Sequence, residues 1–65
     1  MVWKLVYYRY SIREEYEADS KEDALSFGVY QSEMGELAMY ELIDPDGNVV
    51  MNHKDLFNYW AKYDF

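Results

Sequence analysis

Leu37-Ala-Met-Tyr-Glu-Leu-Ile-Asp-Pro-Asp-Gly-Asn-Val-Val-Met51 reads as a strand, a tight turn and a returning strand, and this hairpin decides the fold. Pro45 presets φ at the first central position of a type I turn, and Gly47 can take the positive φ that follows. Asn48 to Met51 pairs back. Asn52 then caps a helix, with Asp55 at its third position and Leu56, Phe57, Trp60, Ala61 and Tyr63 on an apolar side. The second half of the chain is therefore β-β-α.

Working back from the hairpin, Ser20-Lys-Glu-Asp23 opens another helix as a capping-box variant. The serine hydroxyl can accept from the Asp23 N–H, and the Asp23 carboxylate can reach back. Ala24, Phe27, Gly28, Tyr30, Gln31 and Met34 are expected to share one helical face, with Glu22, Ser26, Ser32 and Glu33 opposite. Gly35 ends the helix as a left-handed cap.

Residues 2 to 18 have strand character throughout. One unbroken strand would run well over about 50 Å, against an expected radius of gyration of about 11 Å. A turn or sharp bend is therefore expected around Arg9 to Ser11, although Gly, Pro and Asn are absent there. The order becomes β-β-α-β-β-α: an α+β fold, a small antiparallel sheet of about four strands with two helices on one face, in a single domain over residues 1–65. No internal repeat, linker or low-complexity stretch is visible.

Strand alternation assigns the two faces of the sheet. Trp3, Leu5, Tyr7, Ala38, Tyr40 and Leu42 are expected beneath the helices. Val6, Tyr8, Tyr10, Met39 and Ile43 are expected on the open side, interrupted by Lys4 and Glu41, a surface apolar enough to want cover.

Composition points the same way. A chain of 65 residues with no cysteine has neither disulfides nor thiolate metal sites to support a small core. Oligomerisation is the support that is left. Eight tyrosines, three phenylalanines and two tryptophans exceed what such a core can hold. Trp3, Phe27, Phe57 and Trp60 are read as core, and Tyr8, Tyr10 and Tyr16 as partly exposed. The interface candidates are Val6, Tyr8, Tyr10, Tyr16, Met39, Ile43, Trp60 and Tyr63, since exposed rings favour contacts between proteins.

A net charge of −7 repels phosphate, so direct nucleic-acid binding and anionic membranes are disfavoured. The apolar start is too short for a signal peptide or a membrane span. The expectation is a complete small open reading frame whose product stays in the cytoplasm.

No catalytic constellation is found. His53 is the single imidazole, and Glu14 and Glu15 are neighbours in a strand that point to opposite faces, so they cannot share a proton. Asp44-Pro-Asp-Gly-Asn48 offers oxygens in a calcium-loop rhythm, but Val49 stands where an EF-hand needs glycine, and strands flank it instead of helices. No metal, cofactor or enzymatic activity is expected.

Glu14, Glu15, Glu17, Asp19, Glu22 and Asp23 place six acids within ten positions. Read one way, they are a solvated edge that deters sheet-to-sheet pairing, with acids well placed at a helix N-terminus. Read the other way, they form a patch that docks on a basic partner or imitates nucleic acid.

Glu17-Ala-Asp-Ser-Lys-Glu-Asp-Ala-Leu25 followed by Asp44-Pro-Asp-Gly-Asn-Val-Val50 resembles small uncharacterised proteins encoded by tailed bacteriophages of actinobacteria. The resemblance covers roughly residues 15 to 50 and implies a short phage gene product that binds a host or phage protein in the bacterial cytosol. It carries no functional residues. The functional expectation is a non-enzymatic protein-interaction module, homodimeric through the open sheet face or the second helix, with a basic host protein as a further partner. The alternatives are an acidic mimic that inhibits a nucleic-acid-binding enzyme and, less favoured by the charge, an RNA-binding sheet.

Overall fold

Two hairpins, each followed by a helix, make up the protein in a computed structural model that describes residues 1–35 and 37–63. Strand β1 (Trp3–Arg9) pairs antiparallel with β2 (Ile12–Ala18) from Trp3↔Ala18 to Arg9↔Ile12 without a register shift. The expected bend is a two-residue turn. Tyr10 and Ser11 both hold positive φ, 53° and 68°, as in a type I′ hairpin whose twist matches the flanking strands. Asn and Gly are the usual occupants of such a turn, so Tyr10 and Ser11 give only a weak turn signal.

Helix α1 (Lys21–Glu33) begins at Ser20, whose hydroxyl oxygen accepts from the Asp23 N–H at 3.0 Å. Among the described hydrogen bonds the Asp23 carboxylate does not reach back. Its Oδ1 accepts from the Tyr16 hydroxyl at 3.4 Å. Gly35, at φ 76°, ends the helix as expected.

The second hairpin joins β3 (Ala38–Ile43) to β4 (Val49–Met51). Its turn is closed by Gly47 N–H donating to the Asp44 carbonyl at 3.0 Å, with Gly47 at φ 91°. Asp44 Oδ1 accepts from the N–H groups of Asp46 at 3.0 Å and Asn48 at 2.9 Å. The aspartate thus holds the turn together. Helix α2 (His53–Lys62) carries a full capping box: Asp55 N–H donates to Asn52 Oδ1 at 2.9 Å, and Asn52 N–H to Asp55 Oδ2 at 3.2 Å.

The sheet order is β2-β1-β3-β4, all neighbours antiparallel, so the α+β order read from the sequence holds. Each half is a ββα unit, and its first strand lies at the centre of the sheet beside the other's. That arrangement is what a two-fold relation between the halves would produce. Ser20-Lys-Glu-Asp23 and Asn52-His-Lys-Asp55 occupy equivalent helix starts, a likeness of pattern that residue identity conceals.

One core joins all of this. Leu5 and Leu42 sit side by side in the register, both fully buried, with Ala24 and Leu25 of α1 and Leu56 of α2 packed in the same cluster. Both helices therefore cover one face of the sheet. The radius of gyration is 10.7 Å.

The buried stripe of α1 is Ala24, Leu25, Gly28 and Val29, whereas Tyr30 and Met34, expected on the inner face, are exposed. The cause is Gly28. A Cβ built there would stand 2.5 Å from Met39 Sδ and 2.6 Å from Leu5 Cδ2, so the helix makes its closest approach at this residue. Its inner face is centred on a position that has no side chain, and Leu25 and Val29 flank it.

A bulge in β3 corrects the face assignment. The register runs Lys4↔Ile43, Leu5↔Leu42, Val6↔Glu41, then Tyr7↔Met39 and Tyr8↔Ala38, leaving Tyr40 as the extra residue. Met39 is turned under the helices beside Gly28, Ala38 pairs with open-face Tyr8, and Tyr40 meets Tyr8 edge-on with centroids 5.5 Å apart. A bulge of this kind has no fixed residue signature, so strict alternation fails beyond it.

Candidate interaction surface

The open face of the sheet is less apolar than alternation implies. Val6 lies there, yet it is 0% accessible in the single chain, so it cannot contact a partner as an interface candidate would. Its register neighbours are Glu15 and Glu41. Beside it, Lys4 lies 3.9 Å and Arg13 3.0 Å from the Glu15 carboxylate, a three-residue ionic strip across β1 and β2. Exposed pairs of this kind add little stability, but they keep water on this face. Ile43 is half-buried and pairs with Val49.

Surplus rings are nonetheless at the surface. Of the twelve described aromatic residues, only Tyr7 falls in the buried class. Tyr10 projects from its turn with 84% of its surface accessible. Tyr8, Tyr40 and His53 form a short run of rings, with His53 stacked on Tyr40 at 5.9 Å. Tyr16, expected at the surface, lies on the helix side of β2 against Phe27. Burial and the neighbouring carboxylates of Asp23 and Asp19 push its phenol above the usual tyrosine range.

Helix α2 is anchored at a single point and leaves an apolar side exposed. Leu56 is its one buried residue. Phe57, read as core, is 61% accessible, because Leu56 already takes the position facing Leu42 and the next residue is carried around the helix. Phe57 packs its ring 5.9 Å from that of half-buried Trp60. Together they wall a half-open groove of about 220 Å³ whose other side is Ser32, Leu37, Ala38 and Met39. The Trp60 indole N–H is shielded from solvent and has no hydrogen-bond partner among the described residues. Tyr63 stands at the end of the helix, its ring 5.8 Å from Tyr59.

Of the sequence-derived interface candidates, Met39 and Trp60 thus meet in this groove, while Tyr8, Tyr10 and Tyr63 are exposed elsewhere. The sequence missed Phe57 and Leu37 as surface elements. No residue signal separates Phe57 from Leu56, since adjacent helical positions can both be buried, as Ala24 and Leu25 are in α1.

The acidic residues divide around β2. Glu14 lies opposite Tyr7, Glu15 opposite Val6 and Glu17 opposite Lys4, so they occupy both faces of the strand; Asp19, Glu22 and Asp23 continue around the start of α1. Among the described residues no group of three or more His, Cys, Asp or Glu is placed to hold a metal ion. No helix among them is long and apolar enough to cross a membrane. No family model, curated protein or solved structure matches the chain.

Proposed function

We propose that this chain is a non-enzymatic protein-interaction module that forms a homodimer through the outer side of α2. The observation that carries the proposal is the pairing of an exposed Phe57 ring with an open apolar groove directly beside it. In a two-fold dimer the same patch faces itself, so each copy contributes one ring and one groove. The sizes agree. An apolar cavity of about 150 Å³ takes up benzene, and the groove here is about 220 Å³.

Two further features support the reading. A buried N–H without an acceptor costs about 1–3 kcal/mol, so a rotation of the Trp60 ring on docking that brings its N–H to a partner's acceptor is favoured. Nine buried apolar residues among those described make a small core for independent stability, so a second copy strengthens it. The open sheet face, with its ionic strip, is the weaker candidate.

Sedimentation equilibrium at high micromolar concentration tests this. The wild type should sediment at twice the chain mass, and Phe57→Asp at the chain mass with an unchanged circular dichroism spectrum. A wild type that remains monomeric at that concentration ends the homodimer proposal.

A further inference from the structure

The two edges of the sheet differ. At one edge β4 has three residues and an irregular register with β3. At the other, β2 has seven residues, pairs with β1 in unbroken register and contains neither proline nor bulge. Its outward backbone N–H and C=O groups form an open ladder of about 23 Å. Proteins usually blunt such an edge with lysine, proline, a bulge or a covering element. Here α1 lies over the face of the sheet, and the one basic residue of the strand, Arg13, is tied to Glu15.

Charge selects what can pair there. β2 carries one base, Arg13, against three acids, Glu14, Glu15 and Glu17, and is net negative. Asp19, Glu22 and Asp23 extend the negative field past its end. Two copies of this strand would bring two such charges together and repel, whereas a basic strand would be attracted. The acids therefore discriminate between partners as well as discourage aggregation.

We propose that β2 accepts an extended lysine- or arginine-rich segment of a partner protein as a fifth, antiparallel strand. Backbone hydrogen bonds along the ladder supply the docking, and alternate basic side chains meet Glu15 and Glu17, which share the open face of β2. The site is independent of the homodimer proposal, because α2 packs on β3 and β4 at the far side of the sheet.

The test uses a fluorescent peptide of alternating lysine and threonine, as long as β2, titrated into the full chain at low salt. Anisotropy should report binding, and NMR should show slowed exchange of the β2 amides that face away from β1. The same peptide N-methylated on the amides of one edge keeps its charge and should bind about tenfold or more weakly, having lost several hydrogen bonds. The double variant Glu15→Lys, Glu17→Lys should lose the interaction while its amide spectrum stays folded. The proposal is overturned if the lysine peptide does not bind. It is equally overturned if the N-methylated peptide binds as well as its parent without protecting β2, which would leave a surface that reads charge alone, as a nucleic-acid mimic does.

Discussion

The Tyr16 ring lies flat on that of Phe27, with centroids 3.8 Å apart and planes within 3°. This stack ties the edge strand β2 to α1, and the tilted contact of Phe27 with Tyr7 at 5.7 Å carries the tie into the core strand. One face of the phenol is thereby taken from water while Asp23 and Asp19 stand near its hydroxyl, and both effects favour the neutral form.

Stability should therefore respond to alkali in a defined direction. The folded chain holds the Tyr16 proton more tightly than the unfolded chain, whose tyrosine titrates near pH 10. The contribution is intact below about pH 10 and falls as pH rises through the folded value. Urea unfolding across that range should show the wild type losing stability faster than Tyr16→Phe, with the two alike at neutral pH. Parallel curves would show that Tyr16 is not coupled to folding.

The β1–β2 turn stores strain that substitution can release. Tyr10 and Ser11 occupy the left-handed region, which costs ordinary L-residues about 1 kcal/mol or more each. Tyr10→Asn with Ser11→Gly places the preferred type I′ pair there and should stabilise the fold by about 1 kcal/mol. In a domain of this size that raises Tm by about 4–8 °C. A lowered Tm would mean that the Tyr10 side chain is held by contacts worth more than the strain.

Gly28 invites the opposite experiment. On an exposed helix, Gly→Ala gains about 1 kcal/mol from propensity. At this position the added methyl meets Met39 Sδ and a methyl of fully buried Leu5, both inside 3.0 Å. Met39 can swing aside; Leu5, at the centre of the core, cannot move without disturbing Leu42 and Leu56. Overpacking of this kind costs about 1–3 kcal/mol, so Gly28→Ala should lower stability despite its better propensity. Gly28→Ala combined with Met39→Ala should recover little, because the contact with Leu5 remains. Chemical denaturation of the three proteins decides the sign.

Local chemistry made much of the architecture legible. Ser20 and Asn52 mark helix starts because their side-chain oxygens satisfy backbone N–H groups within three residues, and Pro45 with Gly47 sets a turn within four. The length of residues 2–18 forced a reversal even without turn residues. These are short-range constraints, and a linear reading can see them.

The candidate surface was only partly legible. Tyr8, Tyr10, Trp60 and Tyr63 could be named, but Val6 is covered, Met39 is turned inward and Phe57 is turned outward. The turn of Met39 depends on the β3 bulge and on the approach of α1 at Gly28, and that of Phe57 on how α2 is anchored to the sheet through Leu56.

By itself the order of residues determined six elements, their sequence and an excess of rings and acids over what a small interior can take. The tertiary structure alone decided which rings reach solvent, that an apolar groove opens beside Phe57, and that the acids line the one long unpaired edge. The physical reason is range. Caps and turns are settled by hydrogen bonds a few residues long, whereas exposure is settled by how whole helices and strands compete for the same limited contact area.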